Sequence, residues 1–312
     1  MVLHIYPRDR VHFKWDNALE PVIRVSPGDT VFYELKEVTD GQLTPTSTSA
    51  ILSEFDWERV YPLSGPVHVE GAEPGDALEV EILDIHTKGW GWSAIFPGLG
   101  LLEDEFKEPR LRIWDLSAGD HTYFREDIRV PLDPFCGTMG VAPPEAGRRE
   151  VMPPGRHGGN MDVRHLTRGA RLLLPVWVEG ALFSVGDPHA AQGDGEVCVT
   201  GIEAPVDLSL RFGLRKGMGI DAPQFATPGP LTSRYDAAGY HVTMGIGPSL
   251  MEAARDAVRR MVGHISEGWG MERWEAYILC SVVVDLKISE IVDKPNWIVS
   301  AYLPLSIFEG AT

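Results

Sequence analysis

The sequence predicts a mainly β protein, built as a β-sandwich or barrel, with a smaller α+β part at its C-terminus. Three observations support this fold class. Apolar and polar residues alternate after recurring turn motifs in the first two thirds of the chain, as they do in half-buried strands. Long segments rich in glycine, proline and tryptophan separate these strands. In the last third, the apolar residues recur with a helical period.

Three segments begin with similar turns and continue as predicted strands. Residues 27–37 (PGDTVFYELKE) and 74–84 (PGDALEVEILD) share a Pro-Gly-Asp turn, and residues 168–187 (RGARLLLPVWVEGALFSVGD) repeat the pattern without the proline. In such a turn, proline sets φ, glycine takes the left-handed conformation and aspartate caps the turn. We therefore expect three related strands in the sandwich or barrel.

Two long segments, residues 86–106 and 133–162, are predicted to be loops. Both are rich in glycine and proline, and both also carry aromatic and other apolar residues. Loops of this length within a compact domain are usually functional or disordered, and the apolar content argues against disorder. We expect these loops to be functional.

Two helices are predicted near the C-terminus. Apolar residues of 248–265 fall on one helical face, and Ser249 with Glu252 is typical of a capping box. A second helix is expected over about 271–282, followed by a strand in which apolar residues alternate. The predicted organisation is a β-rich domain (1–210) and a smaller α+β domain (211–312), or one intertwined unit.

Composition restricts the class of partner. The chain has 312 residues and a formal net charge of −17, which excludes nucleic acid and anionic membranes and favours a small neutral substrate. No apolar run reaches the roughly 18 to 20 residues of a membrane span, and the N-terminus lacks a signal-peptide pattern. We expect a cytoplasmic protein. Three scattered cysteines form neither a disulfide framework nor a zinc ribbon, so oxygen and imidazole ligands would hold any metal.

The segment GDPHAAQGDGE (186–196) concentrates potential metal ligands. Asp187 and His189 are two residues apart, so both side chains would face the same side of an extended segment and could bind one ion. Zinc is the expected ion and calcium the alternative. An EF-hand is excluded, because Gln192 stands where its glycine is needed and Cys198 where its bidentate glutamate is needed.

The same segment offers groups for substrate and proton handling. Gln192, Asp194 and Glu196 occupy alternate positions between glycines, which let the backbone approach a ligand closely. We assign Gln192 to substrate binding and Glu196 or Asp194 to general-base catalysis. The competing interpretation is a polar turn between strands.

A second cluster lies in RHGGNMD (156–162). His157, Asn160 and Asp162 could complete a metal site begun in the 186–196 segment, or donate hydrogen bonds to a substrate carbonyl. The alternative is a Gly-Gly turn that leads into a short helix from Met161. Gln42 lies in a polar loop that we predict to reach the substrate pocket.

Nucleophile motifs give little support to other mechanisms. The sequence has no Gly-x-Ser-x-Gly elbow and no phosphate-binding glycine loop. Cys136 in DPFCGTMG is a candidate thiol nucleophile. Such a site also needs a nearby Glu and Lys, and the sequence around Cys136 has no pattern that indicates them. A buried cysteine is the alternative.

Together, the segments 65–85, 157–203 and 276–296 resemble the acetamidase/formamidase family, and the similarity extends over nearly the whole chain. The resemblance implies hydrolysis of short aliphatic amides, a β-rich fold, a divalent metal and homo-oligomers. It assigns site roles to Glu203, as a substrate-binding residue, and to the ligand candidates of both clusters. One departure is Thr46 in DGQLTPTSTS, where the family has an aspartate.

These observations favour a metal-assisted amidohydrolase with a small pocket. Asp187 and His189, with Asn160, Asp162 or His157, would hold a zinc-like ion that polarises the amide carbonyl. Two alternatives stay open: an amidase that uses Cys136 as nucleophile, and a non-catalytic protein that binds a small molecule or metal on the same scaffold.

Overall fold

The computed structural model describes residues 1–232 and 234–309. In chain order the strands are β1 (Leu3–Ile5), β2 (Val11–His12), β3 (Ile23–Val25), β4 (Thr30–Leu35), β5 (Leu63–Val69), β6 (Ala77–Thr87), β7 (Trp90–Ile95), β8 (Arg110–Asp115), β9 (His121–Arg125), β10 (Ile128–Pro131), β11 (Phe135–Gly140), β12 (Gly158–Asn160), β13 (Arg171–Pro175), β14 (Phe183–His189), β15 (Val206–Arg215), β16 (Gln224–Ala226), β17 (Tyr240–Gly247), β18 (Asp285–Glu290) and β19 (Trp297–Pro304). The α-helices are α1 (Leu250–Trp269) and α2 (Arg273–Val283), and 3-10 turns cover Ser49–Ser53, Trp57–Arg59, Asp236–Ala238 and Leu305–Ile307.

Two six-stranded sheets enclose the main β core, as the sequence predicts. The strand order is β1-β4-β15-β6-β13-β16 in the first sheet and β12-β11-β14-β5-β2 in the second, where β3 also pairs with β5. Phe183 of β14 and Phe212 of β15 meet edge to face between the sheets, with ring centroids 5.2 Å apart. Apolar side chains of both sheets form one buried cluster around them. The architecture is therefore a β-sandwich.

The three predicted turn-and-strand segments all contribute strands to the first sheet. They form β4, β6 and β13; β6 and β13 are neighbours, and β15 separates β4 from β6. Gly28 and Gly75 adopt φ values of +97° and +96°. The Asp29 and Asp76 carboxylates each accept a hydrogen bond from the backbone N–H three residues earlier, at 3.1 and 2.9 Å. This is the capping role that the sequence predicts.

The two segments predicted as loops contain strands, so that prediction was wrong in part. Residues 86–106 include β7, and residues 133–162 include β11 and β12. Glycine explains the error, because it is depleted in strands unless two backbones approach closely. A Cβ atom on Gly140 would lie only 2.7 Å from the backbone nitrogen of Gly159 on the neighbouring strand.

The C-terminal helices pack on a three-stranded sheet of order β17-β19-β18. Both helices predicted from the sequence are present. The Ser249 hydroxyl accepts a hydrogen bond from the Glu252 backbone at 3.2 Å, and Gly270 ends α1 in the left-handed conformation. None of the helices in the described residues has the length and apolar character that a membrane crossing requires.

The loop after β14, residues 190–204, is enclosed between the sandwich and helix α2. Its apolar side chains join the same buried cluster as those of both helices. Ser281 of α2 binds the loop directly: its carbonyl accepts a hydrogen bond from Gly193 at 2.8 Å, and its hydroxyl accepts one from the Cys198 backbone at 3.0 Å. The predicted boundary near residue 210 falls within β15, in the interior of the first sheet, and the division into two domains stays a prediction.

Truncation of Phe212 tests the sandwich core. We expect Phe212→Ala to lower the free energy of unfolding by about 3–5 kcal/mol, because the ring is fully buried and its removal leaves a cavity. Urea denaturation measures the loss. The matched control is Phe225→Ala on the edge strand β16, where the ring is 45% exposed; an equal loss in both variants would contradict this core assignment.

Candidate metal and catalytic site

A buried histidine lies at the centre of a group of carboxylates. His189 ends β14 and is 1% exposed. Its Nε2 atom lies 2.9 Å from Oε2 of Glu203, 3.4 Å from Oδ1 of Asp187 and 3.9 Å from Oε1 of Glu196. Asp162 completes the group, since it offers an oxygen within 4.8 Å of the ligand atoms of His189 and Glu196. We call these five residues the carboxylate cluster.

Pairing between strands brings these distant residues together. His189 and Glu203 form a β-bridge, because the chain turns back on itself after β14. Asp162 follows β12, which pairs with β11, and β11 pairs in turn with β14. The second sheet therefore places the two sequence clusters, 156–162 and 186–196, against each other, as the sequence analysis proposes.

Gln192 fixes the orientation of the histidine ring. Its side-chain NH2 donates to the Asp162 backbone carbonyl at 2.8 Å, so its Oε1 atom is left to accept. His189 Nδ1 lies 2.8 Å from that oxygen and must carry the proton of this hydrogen bond. In the neutral imidazole, the Nε2 lone pair therefore faces the carboxylates. Gln192 thus contacts His189 and Asp162 and is not among the residues that line the cavity, where a substrate-binding role would place it.

The cluster also contains carboxylate oxygens that lack hydrogen bonds. Thr138 donates to Asn160 at 2.7 Å, and the Asn160 NH2 donates to Asp162 Oδ2 at 2.8 Å. One Glu203 oxygen accepts from the Gly201 backbone at 3.0 Å. Asp162 Oδ1 and Glu203 Oε2 are buried and make no hydrogen bond. Asp162 and Glu203 are thus each anchored by one carboxylate oxygen, and their other oxygen is left for a ligand, an arrangement that fits a bound cation.

The negative charges of the cluster lie next to a histidine but next to no lysine or arginine of the described residues. Among the described residues, no lysine or arginine forms an ion pair with any of the four carboxylates. Burial, followed by repulsion from nearby carboxylates, raises the pKa of Asp162 to about 7 and that of Glu203 to about 8. The same causes raise the pKa of Glu196. Burial lowers the pKa of His189, but Glu203 and Asp187 outweigh this effect and raise it well above its usual value. Buried acidic and histidine groups of this kind could bind a metal ion.

A cavity of about 190 Å³ opens onto the cluster. Its walls hold much of the backbone strain of the molecule: in residues 1–232 and 234–309, eight residues other than glycine have a positive φ, and five of these line the cavity. The five are Tyr61, Asp162, Asp187, Glu196 and Val199. Such conformations cost about 1–3 kcal/mol each and concentrate at functional sites. The strain therefore supports this cavity as the functional site.

Outside the cluster, most residues that line the cavity are apolar, and they are missing from the sequence prediction. Four rings form what we call the aromatic wall: Phe55, Trp57, Trp92 and Phe96. Tyr61 also lines the cavity, and burial, followed by the negative charge of Asp187, raises its pKa. The signal available in the sequence was the aromatic content of residues 90–96.

Asp194 lies outside the carboxylate cluster. Its carboxylate is 3.6 Å from His165 Nε2, and its backbone N–H donates to Asp285 at 3.0 Å. The neighbouring glycines turn it toward strand β18 rather than toward His189. Of the two candidate bases predicted from the sequence, the structure brings only Glu196 to the cavity.

Gln42, His157 and Thr46 also lie away from the cluster. The Gln42 amide binds both backbone groups of Asp56, at 2.8 and 3.1 Å, and so joins two loops that carry cavity residues. The His157 ring packs edge-on against Trp15, with centroids 5.0 Å apart, and lines a separate cavity. Thr46 is exposed and contacts its own loop. The predicted substrate role of Gln42 and metal role of His157 do not fit these positions.

The sequence of this chain also matches a protein family. The profile of the acetamidase/formamidase family matches residues 5–150 and 144–310, which together cover nearly the whole chain. The chain belongs to the acetamidase/formamidase family. It is therefore an amidohydrolase by family, and the resemblance stated from the sequence is confirmed.

Individual relatives of this family span most of the chain. A formamidase from Methylophilus methylotrophus is 30% identical over 96% of the chain and 90% of its own length. An acetamidase from Mycolicibacterium smegmatis is 29% identical over 86% of the chain and 84% of its own length. Among solved structures, a gamma lactamase from Delftia acidovorans has a TM-score of 0.89 at 27% identity, with 99% of this chain and 93% of that chain covered. An acetamidase from Bacillus halodurans has a TM-score of 0.68 at 32% identity, with 97% of both chains covered.

Gly137 offers a direct test of the cluster geometry. A Cβ atom at this position would overlap Asp162 Oδ1 and lie 2.7 Å from Asp187 Oδ2. We expect Gly137→Ala to displace both carboxylates and to lower amidase activity by about 100-fold or more, because small displacements of reacting groups have effects of this size. Measured ammonia release gives the change. The control is Gly263→Ala in α1, where the added methyl group meets no atom within 4 Å; unchanged activity in Gly137→Ala would contradict the proposed site.

Proposed function

We propose that the protein hydrolyses a carboxamide to a carboxylate and ammonia at the carboxylate cluster, and that it needs a divalent metal ion to do so. One observation carries the proposal: the Nε2 atom of His189 faces four carboxylates, two of them buried, that no lysine or arginine among the described residues compensates. A cation at this position would satisfy the lone pair and the unbonded oxygens together. The formamidase and acetamidase names of the relatives support the amide as substrate class.

Three residues of the cluster are the proposed metal ligands. Asp187, His189 and Glu203 are all buried and offer one ligand atom each within 4.8 Å of the others. An imidazole nitrogen among the donors favours zinc over calcium, since calcium takes oxygen ligands. A zinc ion bound here would supply Lewis acidity to the amide carbonyl. In this assignment Glu203 is a ligand, whereas the sequence analysis made it a substrate-binding residue.

Asp162 and Glu196 are the proposed proton carriers. Their carboxyl groups interact directly, and burial together with mutual repulsion raises the pKa of both. Glu196 would accept the proton of the attacking water and transfer it to the amide nitrogen, because an amine leaves only when it is protonated. The Asn160 NH2 is held by Asp162. We therefore assign Asn160 to the orientation of Asp162 rather than to metal binding or to the oxyanion.

The thiol alternative has less support. Cys136 is 2% exposed, belongs to the core between the sheets and does not line the cavity. Burial, followed by the charge of Asp187, raises its pKa, which opposes thiolate formation. We expect iodoacetamide to leave the native enzyme active.

Homo-oligomers and a cytoplasmic location stay predictions from the sequence.

A lactam is the second candidate substrate class. The observation that favours it is the TM-score of 0.89 to the gamma lactamase from Delftia acidovorans, against 0.68 to the acetamidase from Bacillus halodurans. Opening of a lactam breaks the same carbon–nitrogen bond and needs the same proton transfer. It yields an amino acid instead of ammonia, so product analysis separates the two classes.

Removal of the central imidazole tests the proposed function. We expect His189→Ala and Asp187→Ala each to lose bound metal and at least 100-fold in kcat/KM with short amides such as formamide and acetamide, while the far-UV circular dichroism stays that of the folded protein. Elemental analysis gives the metal content, and ammonia release gives the activity.

Two further variants serve as comparisons in the same experiment. Glu196→Gln is expected to retain metal but lose about 100- to 10,000-fold in kcat, as a general base does. Asp194→Asn is expected to retain both metal and activity, since its carboxylate lies outside the cavity. Full activity in a metal-free double variant, Asp187→Ala with His189→Ala, would contradict the proposal.

A further inference from the structure

We propose that the substrate carries an apolar acyl group larger than acetyl, such as an aryl or branched alkyl group. This inference rests on the proposed amide hydrolysis and specifies the class of amide. It follows from the part of the cavity that the catalytic chemistry does not use, the aromatic wall. The sequence predicts a small pocket for short amides. The pocket that includes the aromatic wall has room for a group much larger than methyl.

The rings of the aromatic wall hold one another in place. Phe96 lies edge to face with Phe55 and Trp57, each at a centroid distance of 5.5 Å, and with Trp92 at 6.4 Å. These residues come from two separate segments of the chain. Aromatic pairs of this geometry add about 0.5–1.5 kcal/mol each beyond their buried area. The wall is therefore a preformed apolar surface.

Three polar groups near the wall are already bonded within the protein. Trp92 Nε1 donates to Glu37 at 3.0 Å, and the Thr39 hydroxyl donates to the same carboxylate. The Thr200 hydroxyl donates to the Ala94 carbonyl at 3.1 Å. A polar acyl group would lose its water here without gaining a partner, which opposes its binding.

The charged groups that line the cavity all belong to the carboxylate cluster. The cluster would hold the amide, and its negative charge would repel a substrate that carries a carboxylate of its own. The carboxylate cluster and the aromatic wall thus match the two parts of a neutral amide with an apolar body.

The size of the cavity argues against acetamide as the preferred substrate. The methyl group of acetamide would occupy little of the 190 Å³ and would leave most of the wall in contact with water. Each additional methylene group that the wall buries is worth about a four-fold increase in kcat/KM. An aryl group adds several such increments.

A panel of three amides tests the inference. Ammonia release from the metal-loaded full chain is measured with acetamide, phenylacetamide and glutamine, which differ in size and polarity at a common primary amide. We expect kcat/KM for phenylacetamide to exceed that for acetamide by about 100-fold, and glutamine to be hydrolysed more slowly than phenylacetamide.

The Trp57→Ala variant tests whether the aromatic wall causes the preference for phenylacetamide over acetamide. This side chain is 51% exposed at the rim of the cavity, so its truncation should not unfold the protein. We expect the ratio of kcat/KM for phenylacetamide to that for acetamide to fall by about ten-fold. Phe225→Ala removes an aromatic ring of similar exposure far from the cavity and should leave the ratio unchanged.

The outcomes separate this inference from the proposed function. Hydrolysis of acetamide at a kcat/KM equal to or above that of phenylacetamide, or an unchanged ratio in Trp57→Ala, contradicts the inference alone. Release of ammonia from none of the three amides contradicts the proposed function and the inference with it.

Discussion

The hydrogen bond between His189 and Gln192 is the interaction on which the site depends. Gln192 is itself oriented by the Asp162 carbonyl, so its oxygen can only accept, and the histidine must donate from Nδ1. In the neutral imidazole, the lone pair of Nε2 then points toward four carboxylates, of which Asp187 and Glu203 are buried. The Gln192 amide thereby orients His189 so that its Nε2 atom and the carboxylate oxygens can bind one cation together.

The fold around the site compensates for two features of the site that are energetically unfavourable. Buried carboxylates and backbone at positive φ both raise the free energy of the folded state, and both concentrate at the cavity. Packing of residues 190–204 between the sandwich and α2 holds them there, through the hydrogen bonds of Ser281 and a continuous apolar core. The C-terminal helices therefore act as a support for the active-site loop.

Local signals in the sequence were sufficient for the sandwich, both helices and the choice of Asp187 and His189 as members of one cluster. The aspartate-capped turns before β4 and β6, the apolar periodicity of α1 and the alternate spacing of Asp187 and His189 are all short-range patterns. The roles of Gln192, Asp194 and Glu203 depended instead on where each side chain points after the turn beyond β14. Glycines and residues at positive φ interrupt the alternation there, so spacing in the sequence does not fix direction. The aromatic wall was also not predictable, because its rings come from separate segments.

The most direct test of the central claim is the thermal unfolding of the protein stripped by a chelator, measured by calorimetry with and without added zinc. A cation that completes the carboxylate cluster binds the folded state alone, so Tm should rise with zinc concentration in the natural protein and stay constant in His189→Ala. The same Tm for the stripped and the zinc-loaded protein would contradict the account.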